Sequence, residues 1–485
     1  MSNQNPHTVC IIGGGMSGLF TGALLAKNGY KVTVLEKNHI IGGGLQSFRR
    51  GDAVFNTGLQ AFGGYEPGML FYQMVRYIGI KETKLNIIPL NDESEVVVWT
   101  KTGHCYRLPK GRHAFEKYLS SKFPYQANGL NDLLNELEKI SQTFDYIWFR
   151  QPQIHPEISD YIHLTAEQLI RKYLTDEELI DILGYFTIHH GYQFNRIPAL
   201  EFGMMTVLML SGLQTIAGGT INLANGFADY ICEHGGQILN DTEIRKVHID
   251  EGNIEYIEAT SGQKFYADKY VSAISPSVLL SMVDAPIFRL SSEKRIVTYT
   301  NDFSSIIAYL KLKPQSFPYI NSWVFVPTMQ NDSIIPTYIS LVTPPTQNQG
   351  EWADTLEIFI PAHYADFEKW EDTQTGRRGK EYEAFKQEKV RNIIDYVAQY
   401  YPQIKKAIDH VYCSSPLTVR DYYNNPLGAT FSQAGLNIPI KTKSRNLFIT
   451  GQSVMYQTLF GVAVTSIMVA ETILGRNIIE EIAKA

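Results

Sequence analysis

HTVCIIGGGMSGLFTGALLAKNGYKVTVLEKN, residues 7–38, is the stretch whose reading decides the fold. Val9-Cys10-Ile11-Ile12 is short, apolar and partly β-branched, which predicts a buried strand. Gly13, Gly15 and Gly18 follow directly as G-x-G-x-x-G. Met16 to Lys27 carries Phe20, Ala23 and Leu24 at helical spacing, and Asn28-Gly29 supplies a stop signal. Lys31 to Leu35 alternates and is β-branched, so it predicts a second strand, closed by Glu36. Strand, glycine turn, helix, strand and acid thus come in one unbroken order.

Each piece has a task in holding a dinucleotide. One glycine makes the tight turn, one lets the backbone approach a pyrophosphate, and one lets helix and strand pack closely. The free N–H groups and the dipole at the helix start, at Met16 and Ser17, favour phosphate charge. Glu36, with Lys37 behind it, stands where a carboxylate accepts hydrogen bonds from an adenosine ribose, and an acid there argues against a 2′-phosphate. Glycine clusters alone are usually turns. Here both strands, the helix and the acid stand in register, which makes nucleotide binding the expected role.

Composition narrows the remaining choices. A chain of 485 residues can hold two or three domains. Its net charge of −6, with no basic block, argues against a nucleic-acid partner. The four cysteines, Cys10, Cys105, Cys232 and Cys413, form no C-x-x-C and no metal spacing, which fits a reducing, cytoplasmic setting and predicts no metal. The short polar lead before the first strand leaves no room for a signal peptide. Phe202 to Ala217 (FGMMTVLMLSGLQTIA) is apolar but too short to span a bilayer. It reads either as a buried helix or as a cavity mouth dipping into a membrane, which would give peripheral membrane contact.

After Glu36 the chain continues EKNHIIGGGLQSFRRGDAVFNTGLQAFGGYEPG, residues 36–68, with a second glycine cluster at Gly42-Gly43-Gly44. An ordinary NAD domain has no need of one. Together with residues 7–38, this segment resembles the phytoene desaturase, carotenoid isomerase and retinol saturase family of FAD enzymes. Two later segments extend the resemblance over nearly the whole chain. Residues 216–276 look like the family's return to the nucleotide domain, and Ser444 to Gly475 (SRNLFITGQSVMYQTLFGVAVTSIMVAETILG) looks like its closing motif. The resemblance implies that Gly43, Gly44, Leu45 and Gly58 follow the FAD, that Ile244 meets the adenine, and that Gly451, Gly461 and Val462 bring the last helix to the flavin. Such a helix would direct its positive end at the pyrimidine side of the ring, with Gly461 ending the loop before it. Gly44 stands where amine-oxidase-like relatives carry an arginine, Asn56 where an Asp is usual, and Gln60-Ala61 where saturase-like relatives show His-Tyr.

The expected fold is therefore α/β: a Rossmann-like FAD-binding domain, discontinuous in sequence (1–64, 215–287 and 413–485), with an α+β substrate domain inserted (65–214 and 288–412). Residues 163–186, HLTAEQLIRKYLTDEELIDILGYF, have a clear helical period with Thr165 placed to cap it. No H-E-x-x-H, nucleophile elbow or P-loop appears. The family resemblance implies hydride transfer between flavin and carbon–carbon bonds of a hydrophobic polyene or isoprenoid, as desaturation, saturation or isomerisation. Gln60, His190 and Tyr456 are the candidate substrate contacts, and no catalytic acid or base is assigned. The alternatives are a flavin amine oxidase and a non-catalytic prenyl-protein binder of the Rab GDP-dissociation-inhibitor type.

Overall fold

A computed structural model describes residues 7–299, 303–328, 338–430, 438–455 and 457–485. Its first sheet is five-stranded and wholly parallel, in the order Gln237–Leu239, Lys31–Leu35, Thr8–Ile12, Lys269–Ser272, Leu447–Ile449. The Thr8–Ile12 strand is paired on both sides, which explains why its residues from Val9 onward are apolar without alternation. Helix Met16–Lys27 packs between helices Ile221–Glu233 and Thr458–Leu474. It is buried on every side, with Leu19, Phe20, Ala23, Leu24 and Leu25 sealed from solvent. An antiparallel meander, Ile244–Asp250, Asn253–Ala259 and Lys264–Phe265, lies in sequence between two strands of this sheet.

The second large sheet has seven strands in the order Ile408–Cys413, Phe303–Leu312, Thr355–His363, Tyr338–Val342, Trp323–Pro327, Val96–Trp99, Cys105–Leu108. Only the pairing of Trp323–Pro327 with Val96–Trp99 is parallel. Successive side chains point to opposite faces of a strand, and both faces here are covered. Phe303, Ile307, Tyr309, Trp323 and Phe325 pack into the helical block. Ile306, Ala308, Leu310, Val324 and Val326 instead face helix Lys380–Val397 through Val390, Ile394 and Val397. Glu357, within this sheet, is buried, and its carboxyl accepts the Asn56 N–H at 2.6 Å. Burial pushes that carboxyl up to about 8.

Three readings are sharpened by the structure. The helical pattern of residues 163–186 is not continuous: it forms Ala166–Tyr173 and Glu177–Leu183, because Asp176 caps a second helix by accepting the Leu179 N–H. Thr165 does cap the first, in a reciprocal box with Gln168. The apolar stretch from Phe202 takes the buried one of its two readings. It belongs to helix Ala199–Leu210 and strand Leu213–Ile216, and Met205 and Leu208 are only 7 % and 1 % exposed. Its apolar residues go all the way round because the helix is enclosed, with helix Ala127–Ser141 packed against it. Among the described residues no helix is long and apolar enough to cross a membrane. Finally, helix Thr458–Leu474 starts three residues before Gly461, so Gly461 lies inside its first turns rather than in the loop before it.

Candidate active site

The three glycines Gly13, Gly15 and Gly18 differ in what surrounds them. Gly13 holds φ at +106°, a conformation that a side chain strongly disfavours. At Gly18 an added Cβ would sit 2.1 Å from the Gly13 carbonyl oxygen, so this position exists for close packing of helix on turn. At Gly15 an added Cβ would meet no atom within 4 Å. The space beyond Gly15 is a cleft of about 320 Å³ running from the first sheet toward the second.

Glu36, at the end of the second strand, borders this cleft and is 6 % exposed. Its Oε2 accepts the Gly14 N–H and its Oε1 the Asn38 N–H, both at 2.8 Å. Burial raises its pKa, and these two N–H groups pull in the opposite direction. A carboxylate has about four acceptor sites, so two remain for a ligand. The second glycine cluster folds against the first: the Gly42 N–H donates to the Gly14 carbonyl at 2.8 Å, and a Cβ on Gly43 would lie 3.3 Å from the Gly15 Cα. Asn56 needs no acid, since its Oδ1 already accepts the Thr220 N–H and hydroxyl and the Ser47 hydroxyl.

The cleft brings together Gly13, Gly15, Met16, Ser17, Glu36, Lys37, Gly43, Gly44, Leu45, Gly58, Ile244, Gly451 and Val462. Gly18 lies beneath the loop, and Gly461 is buried in its helix rather than on the cleft wall. Tyr456 lies outside the described residues. Sequence reading missed Tyr423, whose hydroxyl donates to the Thr57 carbonyl at 3.0 Å across the cleft floor, and whose burial pushes its pKa up to about 12.

A dinucleotide fits this cleft on three counts. Helix Met16–Lys27 begins at it with Gly15 as N-cap and no side chain capping the first turn. Helix Thr458–Leu474 begins at its other part, also uncapped by any side chain, through Thr458 and Leu459. Both helix starts therefore offer unused N–H groups and positive dipole ends to a ligand. Thr458 holds φ at +75°, a strained value for a β-branched residue, and its Oγ1 is buried without a partner among the described residues.

A second cavity, of about 100 Å³, adjoins the first and shares Gly58, Leu59, Phe359, Thr458 and Leu459 with it. Its walls are apolar, from Phe62, Ile188, Met205, Leu208, Met209 and Phe460, with Gln60, His189, Trp323 and Ser340 as polar points. Of the histidine pair, His189 faces this cavity. His190 lines a smaller one with His189, Glu201 and Gln457. Residues 184–189 form a 3₁₀ turn, whose tighter winding shifts the register that an α-helical reading assumes.

Residues 16–301, more than half of the chain, match the family model described as flavin containing amine oxidoreductase. The chain belongs to this family. As a family member it is an FAD-dependent oxidoreductase, with the Rossmann-like fold expected of one. The human all-trans-retinol 13,14-reductase is 22 % identical over 99 % of this chain and 88 % of that protein. A chloroplastic prolycopene isomerase of an Oncidium hybrid cultivar is 22 % identical over 96 % of this chain and 84 % of its own length. In structure the flavoenzyme is similar to putrescine oxidase bound to putrescine, with a TM-score of 0.65, 16 % identity, and coverage of 97 % of this chain and 99 % of the other.

Leu208 gives a direct check on the enclosed helix. It is 1 % exposed and borders the second cavity. Leu208→Ala should cost about 2–5 kcal/mol of stability, as deletion of a buried leucine does. Leu208→Asp should leave no soluble folded protein, since it buries an unpaired charge. Thermal unfolding with flavin release measures both. A stable, soluble Leu208→Asp protein would place this residue at a surface.

Proposed function

We propose that this flavoenzyme transfers hydride between FAD and the carbon–carbon bonds of a hydrophobic polyene or isoprenoid-like substrate, in a desaturation, saturation or isomerisation. The observation that carries this reading is the second cavity: among its described lining residues there is no charged side chain. His189 is kept neutral there, because burial drives its pKa down to about 3. A protonated amine would find no carboxylate to pair with, whereas a polyene needs only apolar walls. The names of the retinol reductase and prolycopene isomerase relatives point the same way.

In this reading Gly15, Met16 and Ser17 hold the pyrophosphate at the start of their helix, and Glu36 accepts the ribose hydroxyls. Gly43, Gly44, Leu45 and Gly58 line the path toward the ring, and Thr458 and Leu459 present the positive end of the last helix to it. When bound, FAD supplies the hydride chemistry, which the protein need only orient. The apolar walls align the chain of double bonds and exclude water from the reacting face. We assign residues 1–64, 215–287 and 413–485 to the FAD-binding domain, because all five strands of the parallel sheet come from them. Residues 65–214 and 288–412 form the substrate domain, apart from strand Leu213–Ile216 and Cys413, which straddle the joins. The four free cysteines fit a cytoplasmic setting.

The test is single turnover. Purified yellow protein is mixed anaerobically, in oxidised and in reduced form, with polyenes and separately with primary amines, and products are read by mass and by isomer-resolving chromatography. A polyene product altered by two hydrogens, or isomerised, is expected. Reduction of the flavin by amines alone would overturn the proposal in favour of amine oxidation.

A further inference from the structure

Gln60 is held at its oxygen and left free at its nitrogen. Its Oε1 accepts two hydrogen bonds, from the Trp323 indole N–H at 3.1 Å and from the Ser340 hydroxyl at 2.5 Å. Its main-chain carbonyl accepts the Thr215 hydroxyl at 3.1 Å. An indole N–H can only donate, so the amide oxygen must face Trp323 and the NH₂ group must lie on the other side. Trp323 and Ser340 are themselves buried, on adjacent paired strands, so the orientation is set by the sheet. The Gln60 nitrogen is buried and meets no acceptor among the described residues.

Buried donors without partners are rare in native proteins, and this one borders the apolar cavity beside the FAD cleft. His189 borders the same cavity, edge-on to the Trp323 ring at 4.8 Å, and its Nε2 is also buried without a partner among the described residues. The missing group must therefore be an acceptor. It must also be uncharged, since no lysine or arginine is among the described residues of the cavity wall, and a buried anion needs a counter-charge.

We propose that the Gln60 amide nitrogen recognises a neutral oxygen of the substrate, a hydroxyl or a carbonyl borne by the polyene, so that this enzyme selects oxygen-bearing polyenes over pure hydrocarbons. The inference rests on the polyene reading of the cavity and adds the chemical class of the substrate to it. His189 supplies the second contact. As an Nε2–H donor it serves the second lone pair of a carbonyl, and in the other neutral tautomer it accepts from a hydroxyl.

Three probes of equal polyene length separate the possibilities: all-trans-retinol, all-trans-retinal, and the same chain ending in methyl. Each is titrated into the holoprotein and binding is followed by the change in flavin absorbance. The wild type should bind at least one oxygenated probe about tenfold or more tighter than the hydrocarbon, because a site with unpaired polar groups rejects the analogue that cannot pair them. Tighter binding of retinal assigns the carbonyl and tighter binding of retinol the hydroxyl. Gln60→Met should abolish the preference while the hydrocarbon binds as before. If Gln60→Met does not retain flavin, Trp323→Phe serves instead: it removes the donor that orients the amide and should reduce the preference at least about threefold. Equal binding of all three probes by the wild type, or a preference unchanged in whichever variant retains flavin, overturns the role of Gln60 and leaves the polyene reading standing. Failure of every probe to bind a fully flavinylated protein overturns the polyene reading itself.

Discussion

Gly15→Val should yield a folded, colourless protein, holding less than about a tenth of the wild-type flavin. The separation of fold from cofactor is unusually clean at this position. Gly15 has φ −72° and ψ 175°, an extended conformation that valine prefers. A Cβ there would meet no protein atom within 4 Å, so the apoprotein has nothing to rearrange. Both methyl groups would instead occupy the cleft at the uncapped start of helix Met16–Lys27, where the phosphate charge is to sit. Gly18→Ala is the contrasting variant. Its Cβ would press to 2.1 Å from the Gly13 carbonyl oxygen, so it should lower the melting temperature and the yield with or without FAD. Absorbance of the purified proteins and circular dichroism of their apo forms distinguish the two. A Gly15→Val protein that purifies yellow would put the pyrophosphate elsewhere.

The contrast shows which features a sequence can express. Residues 7–38 are legible because every decisive contact within them is local: the strand, the turn, the helix and Glu36 touch one another over at most a few tens of residues. The tight turn at Gly13 and the close packing at Gly18 follow from their spacing. Gln60 is named among the candidate contacts, but its partners in the second cavity are not legible, because it meets Ser340 and Trp323 across more than 260 positions. Nothing near Gln60 in sequence says that its oxygen will be held. Residues 184–189 form a 3₁₀ turn, so α-helical spacing does not tell which of His189 and His190 meets the cavity. Phe202 to Ala217 was ambiguous for another reason: an apolar helix has the same composition whether lipid or protein surrounds it, and only the packing of helix Ala127–Ser141 against it decides. Helix Thr458–Leu474 starts early through a threonine at positive φ, which propensity alone does not anticipate.

Glu36→Ala should weaken FAD binding by at least about 10²–10⁴-fold, the loss of its ribose contacts alone. Two charge-assisted hydrogen bonds to ribose are worth about 1.5–3 kcal/mol each, which sets that range. The carboxylate has a second task, because it accepts the N–H groups of Gly14 and Asn38 and so braces the glycine loop against the end of the second strand. In the alanine variant both N–H groups lose their acceptor, and the Gly14 side of the phosphate loop loses its brace. The apoprotein should nonetheless fold, since Glu36 borders an open cleft where water can replace the lost oxygens. Glu36→Gln separates the two tasks. A single amide oxygen can serve one of the two N–H groups, while the NH₂ can still donate to a ribose oxygen, so its affinity should fall between those of wild type and alanine. Titration of apoprotein with FAD, followed by flavin fluorescence, gives the affinities, and apo melting temperatures give the brace. If Glu36→Ala binds FAD as tightly as the wild type, the ribose lies away from this strand end. If glutamine and alanine prove equally weak, the negative charge and the double acceptor, rather than hydrogen bonding of any kind, are what the site requires of residue 36.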